Sequence, residues 1–218
     1  ISKGVKKDLC RAALLSDKKV KVIYDPAAKG IQNEIFSNNL NQLWGDSFKI
    51  RILAVGLLTK QKDFETLIAA FSIIHATLHA KLVIIGDGPL RNKLLNLIDQ
   101  LDLHHCVDLP GYDIDLNKWY HSADLFVLSS RWEGFGNVIV EALEHGLPVV
   151  STDCPSGPAE ILENGRYGNL VAVGDKDALA ASIIDAVNNP IDSDTLKQRA
   201  SDFSVDKISN EYIEYITS

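Results

Sequence analysis

Two carboxylates eight residues apart, Glu133 and Glu141, bracket the segment Gly134-Phe135-Gly136-Asn137-Val138. The run Leu125-Phe126-Val127-Leu128 before it is continuously apolar and reads as a buried strand, and the residues after Gly136 have helical periodicity. A strand that turns through glycines into a helix makes an anion site. The first N–H groups of the helix lack internal partners, and its dipole puts partial positive charge there. Gly134 and Gly136 carry no Cβ to hold a ligand off the backbone. Glu133 then falls just before the helix and Glu141 a turn inside it, so both can face one pocket from different sides.

Three further stretches could contribute. In Thr59-Lys60-Gln61-Lys62-Asp63 a lysine between a strand and a helix can neutralise a phosphate; the alternative is a pair of solvated lysines. Gly86-Asp87-Gly88-Pro89-Leu90-Arg91 is superficially like a dinucleotide fingerprint but lacks its third glycine, so a tight structural turn and ligand contact stay open. Asp113-Ile114-Asp115 at the start of a helical stretch reads as helix capping rather than a metal motif. The six histidines show no H-x-x-x-H or H-E-x-x-H spacing, and His104-His105 reads as surface, so no metal site is expected. Cys10, Cys106 and Cys154 are odd in number and widely spaced, which indicates neither a disulfide framework nor a zinc site and suits a reducing compartment. No G-x-S-x-G elbow is present to support acyl transfer.

The elements that must position these residues follow from periodicity. Residues 1–17 predict a helix capped by Ser2, and Val20 to Tyr24 alternates like a strand ended by Asp25-Pro26. Residues 26–47 are polar, Asn-rich and ambiguous. Strands are then predicted over 50–58, 82–85, 106–109, 125–129, 148–152 and 167–173. Helices are predicted over 63–78, 90–101, 114–122, 138–145, 158–163, 176–188, 193–201 and 205–216, with Gly146 closing the one that starts at 138. Apolar strands alternating with helices mean a parallel sheet covered on both faces, hence an α/β, doubly wound, Rossmann-like fold. Ligands sit outside the carboxyl ends of such strands. The glycine-rich turns after Val55, Ile85, Leu109 and Ser130 all fall there.

A chain of 218 residues that is 46% hydrophobic can bury one substantial core. Its net charge of -7 argues against a broad nucleic-acid surface while leaving room for a local phosphate site. No apolar run approaches the roughly 18–20 residues that span a bilayer. The chain has no initiator Met and starts in mid-pattern, which predicts a piece of a longer protein.

Taken together, these stretches resemble the C-terminal, donor-binding domain of a glycosyltransferase family 4 enzyme of the GT-B fold. The resemblance is carried by Ile52 to Gly56, Lys62-Asp63-Phe64, Val83 to Pro89, Leu109 to Tyr112, Ser130 to Glu141, Glu144 to Val150 and Gly157 to Ile161, with Glu133 to Glu141 as its core. It implies that Glu133 lies at the transferred sugar and Glu141 at ribose hydroxyls. Gly134, Phe135, Gly136, Asn137 and Val138 would form the loop and helix start whose N–H groups approach sugar and diphosphate. Lys62 would be the diphosphate lysine. Gly56, Tyr112 and the Gly86–Gly88 turn would complete the donor pocket. The donor implied is a nucleoside-diphosphate sugar, weakly favouring UDP. No cofactor or metal is implied, and configuration at the anomeric carbon is retained.

The implied domain plan is an entering segment at 1–18, the donor domain at 19–190, and C-terminal helices at 191–218 that pack towards an N-terminal acceptor domain. That domain would bring the acceptor, a glycan or glycolipid in polysaccharide or glycoconjugate synthesis, to a cytoplasmic site at the inner face of a membrane. One residue departs from the pattern. Family members read Gly-Arg-Leu after the first strand, whereas here it is Gly56-Leu57-Leu58. Leu57 replaces a charged donor with apolar surface, either as a natural departure that alters donor binding or as a changed residue in this copy. Rival readings are a GT-B-like nucleotide-sugar epimerase and a non-catalytic nucleotide-sugar binding module. A dehydrogenase domain is disfavoured by the missing fingerprint.

Overall fold

A computed structural model describes residues 2–31, 43–45 and 48–217. In chain order its strands are β1 (Ile50–Val55), β2 (Ala80–Ile85), β3 (Val107–Gly111), β4 (Leu125–Leu128), β5 (Val149–Thr152) and β6 (Asn169–Val171). Its helices are α1 (Lys3–Ala12), α2 (Phe64–Leu78), α3 (Arg91–Gln100), α4 (Asn117–Ser122), α5 (Asn137–Glu144), α6 (Pro158–Ile161), α7 (Lys176–Asn188), α8 (Ser193–Ser201) and α9 (Val205–Thr217).

All six strands are parallel, in the order β3-β2-β1-β4-β5-β6. The order reverses at β1/β4, and that reversal opens a crevice at the carboxyl ends of these two strands. The alternation of side chains along each strand divides the core in two. Ile52, Ala54, Leu82, Ile84, Leu125 and Val127 face α2, α3 and α7. Leu53, Val55, Val83, Ile85, Phe126 and Leu128 face α4, α5 and α8. Phe71 and Ile74 of α2 are almost fully buried, each stabilising the fold by about 1.5–3 kcal/mol. This is the doubly wound sheet that the strand and helix pattern requires.

The structure departs from the sequence reading in a few places. Val20 to Tyr24 is not assigned as a strand and pairs in no ladder among the described residues; the bridge that follows it, Ala28 to Ser204, is isolated. Tyr24 stacks on Phe135 at 5.1 Å and its hydroxyl donates to Glu160 Oε2 at 3.1 Å. Alternation there reflects a half-buried extended segment rather than a sheet edge. The strand predicted over 50–58 stops at Val55, and the one over 167–173 shortens to Asn169–Val171. Part of the ambiguous 26–47 stretch, residues 32–42 and 46–47, lies outside the described residues.

Ser2 caps α1 as expected, accepting from the Val5 N–H at 3.2 Å. Gly146, with φ +69°, follows the end of α5 as expected. Asp113 does not cap α4 directly, because the helix begins four residues later at Asn117. Its carboxylate instead accepts from the Asp115 N–H at 3.0 Å and Trp119 Nε1 at 2.9 Å, and pairs with Lys118 at 2.8 Å. The last helix, α9, buries Ile208 and leaves Tyr212, Ile213, Tyr215 and Ile216 exposed. No helix among the described residues is long and apolar enough to cross a membrane.

Candidate functional site

The loops leaving β1 and β4 meet across the topological switch point. They are tied together by the Arg131 N–H to the Gln61 carbonyl at 2.7 Å, Gln61 Nε2 to the Trp132 carbonyl at 2.9 Å, and Ser129 Oγ to the Lys62 carbonyl at 2.8 Å. Asp63, almost fully buried, accepts from Thr66 Oγ1 at 2.9 Å and pairs with Arg131 at 3.0 Å. These bonds fix Lys62 and Glu133 opposite each other. Lys62 Nζ lies 2.6 Å from Glu133 Oε1, with the two side chains only 16% and 8% exposed. Ser130 Oγ donates to the same oxygen at 2.6 Å. Both donors converge on Oε1, so among the described residues Oε2 has no hydrogen-bond partner.

Gly56 makes room for this lysine: a Cβ there would sit 3.0 Å from Lys62 Cε. Thr152 Oγ1 donates to the Ser130 carbonyl at 2.6 Å, linking the loop to the end of β5. The backbone of Glu133 is clamped to the 155–156 segment by reciprocal bonds of 2.8 and 3.0 Å. Cys154 lies in the same neighbourhood. Burial, and then the negative charge of Glu133, push its thiol up to about 11, so it is a neutral filler rather than a nucleophile.

Helix α5 begins immediately beyond. Gly136 precedes it with φ +100°, a conformation that glycine adopts without strain. A hollow of about 280 Å³ opens here, lined by Asp25, Lys62, Glu133, Phe135, Gly136, Asn137 and Val138. Gly134 is exposed, and nothing lies within 4 Å of where its Cβ would be. An ammonium, a helix N-terminus and two carboxylates, Asp25 and Glu133, therefore face one small space. That arrangement can bind a phosphate while holding a negative group beside it.

Glu141 lines a different hollow, of about 320 Å³, with Tyr120, Asn117 and Glu144 among its walls. Among the described residues the two glutamates thus line separate hollows on either side of the start of α5. The Tyr120 hydroxyl donates to Glu141 Oε2 at 3.0 Å and holds that carboxylate beside α4. Burial and the adjacent Glu141 raise the Tyr120 phenol well above its ordinary value, so it stays a neutral donor. Its ring stacks on His145 at 5.3 Å.

The turns after β1 and β2 are locked to each other. A Cβ on Gly86 would overlap the Gly56 carbonyl, and one on Gly88 would fall 2.8 Å from both N and O of Leu58. Close backbone packing alone therefore requires these glycines. Tyr112, after β3, is 80% exposed and lines neither hollow. Leu57 is 67% exposed and directly follows Gly56, which is the residue that lies against the Lys62 side chain.

Ser130 and Tyr120 orient the two glutamates, and sequence reasoning assigned neither. Ser130 sits three residues before Glu133 within a loop, and that proximity is a usable signal. Tyr120 lies in an apolar helical pattern, and nothing local pairs it with Glu141.

Comparison with known proteins bears on these geometries. The family described as "Glycosyl transferases group 1" matches residues 41–203. A Campylobacter jejuni protein, N-acetylgalactosamine-N,N'-diacetylbacillosaminyl-diphospho-undecaprenol 4-alpha-N-acetylgalactosaminyltransferase, is 32% identical over 226 residues, covering 99% of this chain and 58% of its own length. A crystal structure of a glycosyltransferase from Rickettsia africae superposes with a TM-score of 0.87 at 20% identity, over 99% of this chain and 61% of that one. Anabaena HepE, crystallised with UDP, superposes with a TM-score of 0.82 at 23% identity, over 99% and 62% of the two chains. The chain spans less than two thirds of the length of each.

Proposed function

Because the chain belongs to the glycosyl transferases group 1 family, we propose that it is the C-terminal, donor-binding half of a family 4 enzyme. That enzyme moves a sugar, with retention, from a nucleoside diphosphate to an acceptor hydroxyl. The observation that carries this reading is the Lys62–Glu133–Ser130 cluster held against the start of α5 at the β1/β4 switch point. The bond that breaks joins the anomeric carbon to the diphosphate oxygen, and negative charge grows on the leaving group. Lys62 and the free N–H groups at Asn137 and Val138 would stabilise that charge, which is electrostatic catalysis without a covalent enzyme intermediate. Glu133 would keep Oε1 for Lys62 and Ser130 and offer Oε2 to the sugar. Glu141, oriented by Tyr120, would take the ribose hydroxyls, and Tyr112 and the Gly86–Gly88 turn would border the base.

The UDP bound to Anabaena HepE supports a uridine donor, and the name of the Campylobacter jejuni relative supports a lipid-linked glycan acceptor. The acceptor would be presented by an N-terminal domain at the cytoplasmic face of a membrane, with the exposed face of α9 packed towards that domain. No metal or cofactor enters this mechanism. Calorimetric titration of the full-length protein with UDP, GDP and ADP tests the reading. UDP binding that weakens by about 10- to 150-fold in Lys62→Met supports it, and absence of binding by all three nucleotides refutes it.

One observation favours a second reading. The exposed Leu57 stands where the family pattern has arginine, so a non-catalytic nucleotide-sugar binding module would retain the pocket and lack the second diphosphate cation. A full-length protein that binds the donor but neither transfers nor hydrolyses it would decide for this alternative.

A further inference from the structure

At the opposite edge of the sheet a second group of polar side chains comes together. His75 lies in the last turn of α2, and His105 and Cys106 immediately precede β3. The sheet is wholly parallel and α2 runs back against it, so these residues sit at the amino ends of the strands, away from Lys62 and Glu133. One ligand atom from each of His75, His105 and Cys106 lies within 4.8 Å of the other two. With metal–nitrogen bonds of about 2.0–2.1 Å and metal–sulfur bonds of about 2.3 Å, ligand atoms in a tetrahedral zinc site stand roughly 3.3–3.7 Å apart. Rotation of the exposed His105 ring can close the difference, because His75 is half-buried and Cys106 buried on a rigid strand entrance.

We propose that His75, His105 and Cys106 bind one thiophilic transition-metal ion, with Zn2+ as the natural candidate. Two imidazoles and a thiol form a borderline-soft donor set that suits Zn2+ over Mg2+ or Ca2+. His75 already has an acceptor at one ring nitrogen. Its Nδ1 lies 3.2 Å from the Ser72 carbonyl, which can only accept, so Nδ1 carries the proton and Nε2 keeps its lone pair. A backbone carbonyl on the far nitrogen is the usual outer support of a metal-binding histidine. Three protein ligands leave a fourth position for water or for His104, whose ring centroid is 5.7 Å from that of His105. Without metal the buried Cys106 thiol is neutral and donates to the Leu103 carbonyl at 3.5 Å; on binding the ion displaces that proton to solvent and the thiolate bonds the metal. The ion would clip the end of α2 to the start of β3. The sequence conceals the site because its ligands come from two separate elements.

The test is titration of the chelator-treated whole protein with ZnCl2 by calorimetry and with CoCl2 by absorption. One equivalent should bind, and Co2+ should show the thiolate charge-transfer band of a Co–S bond. Cys106→Ala should abolish that band, whereas Cys10→Ala and Cys154→Ala should keep it. His75→Gln and His105→Gln should each weaken Zn2+ binding by more than the about 10- to 100-fold typical of losing an outer-shell partner. His105 is exposed, so its variant keeps the test valid if loss of the buried Cys106 impairs folding. Absence of stoichiometric Zn2+ binding, or wild-type affinity in His105→Gln, overturns the proposal, as does a Co–S band that survives Cys106→Ala.

Discussion

Consider breaking the Lys62–Glu133 pair from one side and then from both. In Glu133→Gln the ammonium that sat 2.6 Å from a carboxylate oxygen faces a neutral amide, in a place where the lysine side chain is only 16% exposed. Removing one partner of a fully buried pair costs about 3–5 kcal/mol. This pair keeps some contact with water, so the lower end, about 3 kcal/mol, applies. For a chain of 218 residues each kcal/mol shifts Tm by about 2–4 °C, which gives a loss of roughly 6–12 °C. Lys62→Met strands the carboxylate with Ser130 as its remaining donor, and a similar loss is expected. The double variant carries no stranded charge and should be more stable than the sum of the single losses by at least about 1 kcal/mol. Binding should behave differently. Lys62→Met removes a charged hydrogen bond worth about 1.5–3 kcal/mol to a diphosphate, hence about 10- to 150-fold in the Kd for UDP. Glu133→Gln should restore none of that affinity in the double variant. Denaturant unfolding of the four proteins and calorimetry with UDP measure both effects. Strictly additive losses of stability, or wild-type UDP affinity in Lys62→Met, would refute the reasoning.

Leu57→Arg places a guanidinium on an exposed site beside Lys62, and UDP affinity should rise by about 10- to 100-fold if it reaches the diphosphate, as calorimetry will show. Gly86→Ala drives a methyl group into the Gly56 carbonyl at a φ of +143°. It should cost about 3 kcal/mol or more in chemical denaturation, and weaken UDP binding by displacing the Lys62 loop. Burial, reinforced by Glu160, pushes the Tyr24 phenol from 10.0 up to about 12. Between those pH values the folded chain holds a proton that the unfolded chain has lost, so stability falls as pH rises from 10 to 12. In Tyr24→Phe that part of the alkaline slope should vanish from the pH dependence of unfolding, leaving the shares due to Tyr120 and to the buried thiols of Cys106 and Cys154.

What the amino-acid order determined by itself was whatever depends on near neighbours. Short continuous apolar runs such as Leu82 to Ile85 and Leu125 to Leu128, containing β-branched or aromatic residues and bounded by glycine or polar turns, fit buried parallel strands, and the spacing in Phe64 to Leu78 fits a helix lying on them. From that alternation followed the fold, the edge of the sheet where a ligand is expected, and the candidate status of Glu133, Lys62 and the glycine turn. Alternation misled at Val20 to Tyr24, because a half-buried extended segment and an edge strand share one period and differ only in whether a partner lies alongside. Tertiary structure decided which distant groups meet. The pairing of Lys62 with Glu133, the hydrogen bond from Tyr120 to Glu141, and the locking of Gly86 against Gly56 join residues from separate elements. So does the approach of His75 to His105 and Cys106. No local pattern encodes such pairs, since their contact depends on the order of the strands and the register in which the helices pack on them.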